Sequence, residues 1–253
     1  MSDSTSFFVV VPFFNEEKGF GPTLSALANQ SDTNYSLVLV DNGSTDASLS
    51  IASAFARSTA APQVYLLTEP QKGTGAASDS GFRLAIRRGA KWIARTDADC
   101  LPRADWVQNL KTAMCYEGLE FVAGNIRPRE DEWPLSRTRR LILNGMVWLA
   151  ENYGRLHRRG PQFRYPYFMA AGNNLAITAE LYEKSGGFPR SAIEDTHEDR
   201  ILSETVRTLT ARAGVRREIV VYNSVRRVQA YGYVNTLRWY RNHGYRDGVV
   251  DVR

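Results

Sequence analysis

A chain of 253 residues, 43% of them hydrophobic, has enough apolar mass for a sizeable core, which excludes a disordered protein and allows one large α/β domain. Two cysteines, Cys100 and Cys115, are too few for a disulfide framework or a cysteine-based zinc site and point to reduced thiols. The formal charge of +5 comes from 32 basic and 27 acidic residues, and the excess lies after residue 125. One arginine group is Arg137, Arg139, Arg140, Arg155, Arg158, Arg159 and Arg164; a second is Arg212, Arg216, Arg217, Arg226 and Arg227. Such groups suit a phosphorylated partner or an anionic membrane surface, and no nucleic-acid motif accompanies them. The polar start does not read as a secretory signal, and the longest apolar run, residues 141–150, is about half the length of a spanning helix. A cytoplasmic location is expected, with a peripheral position at the inner face of the membrane as its variant.

Strand and helix signals alternate through the first half, the pattern of a mostly parallel sheet flanked by helices. Residues 7–11 are a continuous apolar run that Pro12 is expected to end. Leu24, Leu27 and Ala28 mark a helical face, residues 37–40 a second strand, and Ile51, Ala54 and Phe55 a second helix with Ser44, Thr45 and Asp46 as capping candidates. Residues 64–67 give a third strand, 76–88 a helix, and 91–95 the strand that feeds Asp97 and Asp99. Trp106, Leu110 and Met114 recur at helical spacing, and residues 121–123 read as another short strand. Beyond Asn125 the texture changes to a Pro-, Arg- and Trp-containing stretch at 127–140, a long helix, a Gly, Pro and aromatic loop at 160–168, and further short elements. Leu202, Val206 and Leu209 set a helix that begins near Glu198. No internal repeat is visible, so one continuous domain over residues 1–253 is expected.

Asp97 and Asp99 carry the most specific chemistry. Side chains at i and i+2 of an extended segment project the same way. At the C-terminal edge of a strand in an open α/β sheet they lie where ligands bind, and two hard oxygen donors suit Mg²⁺ or Mn²⁺ together with a diphosphate. Residues 72–75 (KGTG) have the glycines that let backbone N–H groups approach an anion. They lack the Walker A spacing, and no glycine-rich fingerprint follows the first strand, which disfavours kinase and dehydrogenase readings. Phe14 and Glu16 follow Pro12 at the first strand's end, where an aromatic face can pack on a base or ribose. At the second strand's end, an Asx-turn or capping role fits Asn42 and Asp46 better than Asp41.

Six segments, in this order, together resemble the family 2 glycosyltransferases of the GT-A fold: VVVPFFNEE at 9–17, LVLVDNGSTD at 37–46, KGTGAASDSGF at 72–82, TDAD at 96–99, AGNNLAI at 171–177 with Gly186, Gly187 and Phe188, and EDTHED at 194–199. The resemblance runs over nearly the whole chain. It implies a Rossmann-like, mostly parallel sheet with a nucleotide-sugar-binding half at 1–125 and an acceptor-binding, catalytic-base half at 126–253. It also implies an inverting, hexosyltransferase-type enzyme that moves a sugar from a nucleotide-diphosphate sugar to an acceptor hydroxyl. Mn²⁺ or Mg²⁺ would be held by Asp99 with Asp97. Asp41 would accept the imide N–H of a uracil, which makes UDP the first choice of nucleotide. Substrate contacts are expected at Pro12, Phe14, Glu16, Asp41, Lys72, Asp79, Asp97, Asn173 and Glu198. Two departures stand out: relatives commonly carry Arg-Asn where this chain has Ser78 and Asp79, and many show a second aspartate where this chain has Asn42.

The resemblance implies a general base at Asp199 or Asp195, each the second member of a Glu-Asp pair. Relatives begin a helix directly after their pair, which favours Asp199, yet Thr196 to Asp199 also has the spacing of a capping box. Near the end, Asn235, Arg238 and Trp239 have the spacing of the Q-x-x-R-W motif of processive sugar polymerases, with Asn for Gln. That adds Arg238 and Trp239 as substrate contacts and His243 as a metal or diphosphate ligand; an amphipathic helix packing Leu237 and Tyr240 is the alternative. The acceptor is expected to be anionic or lipid-linked, with no nucleic acid. A catalytically silent nucleotide-sugar-binding protein is the second reading, raised by Ser78 and Asp79. A sugar nucleotidyltransferase is the third, disfavoured because its Gly-rich, Arg-containing loop is missing after the first strand.

Overall fold

The computed structural model describes residues 6–58, 62–131, 136–157, 160–190 and 198–242. Two runs buried at every position, Phe7–Phe13 (β1) and Ser36–Asp41 (β2), pair in parallel from Phe8 with Ser36 to Phe13 with Asp41. Strands apolar on both faces are what a sheet covered by helices on each side requires. Gln63–Thr68 (β3) pairs in parallel with β2, and Trp92–Arg95 (β4) with β1. Four more strands extend the sheet: Leu101–Pro102 (β5), Phe121–Pro128 (β6), Leu175–Thr178 (β7) and Ala213–Asn223 (β8). The order across it is β3-β2-β1-β4-β7-β6-β8-β5. β7 is antiparallel to both neighbours, so the start of β7 and the ends of β1, β2, β4, β6 and β8 share one edge. β6 runs through residue 125, and β8 pairs beside it, so one sheet spans both halves of the chain.

Alternation along the central strands sorts the core into two layers. Val9, Val11, Leu37 and Leu39 face Leu24 and Leu27 of Phe20–Ala28 (α1), Ala52 of Ser48–Ser58 (α2), and Trp106 and Leu110 of Trp106–Lys111 (α4). Phe8, Val10, Val38 and Val40 face Phe82 and Ala85 of Thr74–Arg87 (α3), Tyr182 of Ala179–Ser185 (α6), and Leu202 and Val206 of Glu198–Leu209 (α7). Each large side chain removed from water in these layers contributes about 1.5–3 kcal/mol. α3 sits close on the sheet because Gly81 has no side chain: a Cβ there would lie 2.5 Å from Val10 Cγ1 and 2.9 Å from Val40 Cγ2. Arg137–His157 (α5) and Arg226–Asn242 (α8), the latter broken at Gly232 (φ 70°), complete the described helices.

Pro12 does not end the first strand. It pairs with Val40 inside β1. The Phe13 carbonyl accepts from Asn42 N–H on the β2 side, whereas the Val10 carbonyl accepts from Thr96 N–H on the β4 side. By alternation Pro12 directs its missing donor toward β4, past the last β1–β4 pair, Val10 with Arg95, and no ladder bond is lost. Likewise, the helix carrying Trp106 and Leu110 widens into a π-turn at Thr112–Tyr116, which holds Met114, and the strand at 121–123 extends to Pro128.

Candidate active site

At the shared edge the chain brings together carboxylates from distant segments and places two arginines among them. Arg95, the last residue of β4, is 1% exposed. Its guanidinium lies 3.1 Å from Asp97 Oδ1 and 3.3 Å from Glu198 Oε1. It also faces the Phe188 ring at 5.3 Å. Burial opposes its charge, but Asp97, Glu198 and Asp199 together hold it firmly protonated. The guanidinium packs directly against Gly172, where a Cβ would lie 2.9 Å from Arg95 Cζ.

Asp199, in the first turn of α7, accepts at Oδ2 from Gly172 N–H (3.0 Å) and at Oδ1 from Arg200 N–H (2.7 Å). Desolvation raises its carboxyl above the usual range despite those bonds and Arg95. Glu198 is raised for the same first reason, with the Asp199 charge adding to it. Burial also raises Asp97, although Arg95 opposes the shift and 33% of the side chain reaches solvent. Neighbouring Asn173 lies on the 3₁₀ turn Gly172–Asn174, its Oδ1 buried with no hydrogen-bond partner among the described residues. Asn174 fixes that turn: it accepts from Trp106 Nε1 (2.9 Å) and donates to the carbonyls of Asn125 and Ile219.

The second arginine is Arg226, at the start of α8. One of its nitrogens donates to both carboxylate oxygens of Glu16 (2.9 and 2.8 Å) and to Asp99 Oδ2 at 3.1 Å. Burial pushes Glu16 up to about 7 even with that donor in place. Arg129 Nη1 donates to the Asp99 carbonyl (3.0 Å), which ties the end of β6 to the Asp97–Asp99 turn.

At the ends of β1 and β2 the candidates hold one another. Lys72 Nζ donates to the carbonyls of Asn42 (3.1 Å) and Gly43 (3.0 Å) and stands 4.1 Å over the Phe14 ring. Asn42 Nδ2 donates to the carbonyls of Glu69 and Gln71, and its Oδ1 accepts from Gly73 N–H. Asp41 Oδ1 accepts from Ser44 N–H (3.0 Å) and Asp46 Oδ1 from Ser48 N–H (2.9 Å). Asp41 therefore takes the turn role that its neighbour Asn42 was expected to fill, because Asn42 is used up bridging to residues 69–73. Asp79 is 1% exposed and bound by Arg83 (2.9 Å), Tyr182 (2.9 Å) and Arg190 (3.2 Å). Asp195 and His243 lie outside the described residues, and Arg238 and Trp239 fall on α8 with side chains that are not described.

With this geometry in view, the comparisons with known proteins are decisive for the family. The sequence model described as Glycosyl transferase family 2 matches residues 8–185. The chain belongs to that family. Among curated relatives of this family 2 glycosyltransferase, Glycosyltransferase AglE of Haloferax volcanii is 31% identical over 121 residues, covering 47% of this chain and 38% of the relative. The undecaprenyl-phosphate 4-deoxy-4-formamido-L-arabinose transferase of Aeromonas hydrophila is 29% identical over 145 residues, covering 56% and 43%. The chain thus spans about two-fifths of the length of these relatives. Two solved structures share the GT-A fold. S. aureus TarS 1-349 in complex with UDP-GlcNAc superposes with a TM-score of 0.64 at 15% identity, over 86% of this chain and 58% of that one. The mannosyltransferase PcManGT from Pyrobaculum calidifontis, in complex with GDP-Man and Mn²⁺, gives 0.65 at 23%, over 87% and 57%.

Sequence reasoning missed Arg95 and Arg226 as members of the site. An arginine at a strand end or in a basic stretch reads as solvated surface, and the acidic partners lie 103 and 210 residues away. Only the number of acids converging on the expected edge hinted that buried cations must balance them.

Proposed function

We propose that this family 2 glycosyltransferase is an inverting hexosyltransferase that uses a nucleotide-diphosphate sugar and a divalent cation. The observation that carries the reading is the Arg95 guanidinium, which lies 3.1 Å from Asp97 and 3.3 Å from Glu198 and so draws the segments bearing Asp97–Asp99 and Glu198–Asp199 together at one sheet edge. A group that receives the leaving diphosphate and a group that takes the acceptor's proton must sit that way for a single in-line displacement.

The donor set fits Mn²⁺ or Mg²⁺. Asp97 and Asp99 offer hard oxygens on side chains 33% and 25% exposed. The Arg226 guanidinium rests on Glu16 and Asp99, so these carboxylates already pair with a positive group, which supports a cation here. Among the described residues no three acidic, His or Cys side chains form a closed cage. An open pair suits ions of this kind, which keep positions for substrate phosphate oxygens and water. Asp99, with Asp97, would hold the ion, which when bound supplies Lewis-acid neutralisation of the leaving diphosphate. PcManGT is titled with Mn²⁺ and both solved neighbours with nucleotide-diphosphate sugars, which supports the same donor class here.

Asp199 acts as general base. Its raised carboxyl is matched to accept a proton from a hydroxyl, and the Gly172 and Arg200 N–H groups orient it. The acceptor oxygen bonds to the anomeric carbon as the carbon–oxygen bond to the diphosphate breaks, the proton ends on Asp199, and the nucleoside diphosphate leaves. Asn173 Oδ1, buried and without a described partner, is placed to accept from a substrate hydroxyl. UDP is the first choice of nucleotide, and the basic second half suits an anionic or lipid-linked acceptor. No helix among the described residues is long and apolar enough to cross a membrane.

The test is Asp199→Asn with a nucleotide-diphosphate sugar screen. Turnover should fall about 10²–10⁴-fold while nucleotide affinity, read by thermal shift with and without Mn²⁺, stays within about twofold of wild type. Unchanged turnover would transfer the role to Asp195, and indifference to EDTA would remove the cation.

A further inference from the structure

Four large apolar side chains of α5 stand open to solvent: Leu141 is 73% exposed, Trp148 62%, Leu149 60% and Ile142 42%. Their spacing, with Gly145 between them, puts them on one side of the helix. The opposite side is anchored, since Gly154 packs so closely on Tyr167 that a Cβ would fall 2.1 Å from its ring. Single exposed hydrophobics are ordinary on protein surfaces; a contiguous stripe marks an interaction face.

The charge on the same helix identifies the partner. Its 21 residues carry Arg137, Arg139, Arg140 and Arg155 against one acid, Glu151. Three of the arginines crowd the first turns, where the helix dipole disfavours cations; Arg140 is held by Glu130, whereas Arg137, one turn before Leu141, borders the apolar stripe. A positive helix edged this way suits an external anionic surface. A second copy packed parallel on this face would bring the same arginines together, and an antiparallel one would set the Arg137 end against the Arg155 end, so like charges meet either way, which argues against self-association.

We propose that this face of α5 lies on an anionic lipid bilayer, its Leu and Trp side chains in the headgroup–acyl boundary and Arg137 at its border on lipid phosphates, as an interfacial amphipathic helix does. The placement has a consequence for the site. α5 follows the cleft-side end of β6, its Arg140 pairs with Glu130 at 2.7 Å, and Arg129 next to that residue donates to the Asp99 carbonyl. A chain held by this face therefore presents the edge carrying Asp97 and Asp99 near the lipid surface, where an acceptor embedded in the membrane is within reach. Vesicle binding involves no turnover, so it stands or falls separately from the transfer chemistry.

The experiment is co-sedimentation of the full chain with phosphatidylcholine vesicles, with and without phosphatidylglycerol. Partition should require phosphatidylglycerol and weaken with salt. Leu141→Glu combined with Leu149→Glu should lower it at least about tenfold, and Arg137→Gln about fivefold, with melting curves unchanged because these sites are exposed. Quenching of tryptophan emission by brominated lipid should be lost in Trp148→Phe. The proposal is overturned if vesicles of either composition leave the protein in solution, or if the double Glu variant partitions like wild type. It is equally overturned if gel filtration shows a wild-type dimer that the double Glu variant splits, which would assign the face to a second copy.

Discussion

Replacing Arg95 by Met keeps most of the stem volume and removes the cation. Glu198, 8% exposed, then loses the partner 3.3 Å away, and Asp97 the one at 3.1 Å. Breaking a buried ion pair from one side costs about 3–5 kcal/mol. The loss has a ceiling, because an orphaned carboxylate can escape by taking up a proton, which at pH 7 costs about 3–4 kcal/mol for a group that ordinarily titrates near 4. Asp97 reaches solvent and recovers part of its hydration, so Glu198 carries most of the effect. The expectation is a loss of about 3 kcal/mol, or roughly 6–12 °C in Tm for a chain of this size. Removing the cation raises the folded-state pKa of Glu198 further above its unfolded value. Such a group binds more protons folded than unfolded, so stability falls as pH rises above about 4.5 and the defect should shrink on going from pH 7 to pH 5. Glu198→Gln in the same chain should restore most of the Tm. Calorimetry of wild type, both single variants and the double variant at the two pH values decides it. A single variant within about 2 °C of wild type at pH 7, or a defect that neither acid nor Glu198→Gln relieves, would refute the role given to Arg95.

Three further outcomes are expected. Burial opposes ionisation of Glu69, but hydrogen bonds from Ser80, Arg190 and the Gln71 N–H hold its carboxyl below the usual range. Its contribution is therefore complete above about 4.5 and lost as pH falls through the lower folded value, so Glu69→Gln should flatten the acid side of a Tm-versus-pH curve. Gly81→Ala should cost about 1–3 kcal/mol in urea unfolding, since the new methyl meets Val10 and Val40 inside contact distance. Arg226→Met should tighten Mn²⁺ binding without nucleotide about fivefold by calorimetry, because the guanidinium competes for Asp99 in a partly exposed pair worth up to about 1 kcal/mol; weaker binding would make Arg226 part of the ion's own site.

The central sheet was legible because β1, β2 and β4 are buried on both faces, so Phe7 to Val11, Leu37 to Val40 and Trp92 to Ala94 appear as unbroken apolar runs. β8 was not, for a physical reason. Gly124 pairs with Arg216 but Asn125 with Val220, so residues 217–219 loop out of register. The strand's first half is largely exposed, with Arg216 on Glu117 at 2.5 Å, and only a short apolar core from Ile219 to Val221 remains to be read. β7, four residues long, is equally brief, although its AGNN turn was visible as a motif. In the site, Asp97, Asp99 and Asp199 could be picked out by spacing and order, whereas the arginines that balance them could not. Local sequence records which acids stand at a strand end; it does not record that Arg95, two residues from Asp97, is buried and also reaches Glu198, or that Arg226 reaches Glu16 and Asp99.

The segment matched by the family's sequence model stops at residue 185, yet Arg95 finds Glu198 and Glu16 finds Arg226 only beyond it. A fragment cut at that boundary would leave Arg95 with Asp97 as its ion-pair partner and without Glu198, would take Arg226 from Glu16, and would strip β6 of its neighbour β8 along eight paired residues. The recognisable motif block thus relies on later residues for an edge of its sheet and for partners of its charged groups. Its charge balance is completed by the last quarter or so of the chain, so exchanging that later part between relatives would also mean transplanting the partners of Arg95 and Glu16.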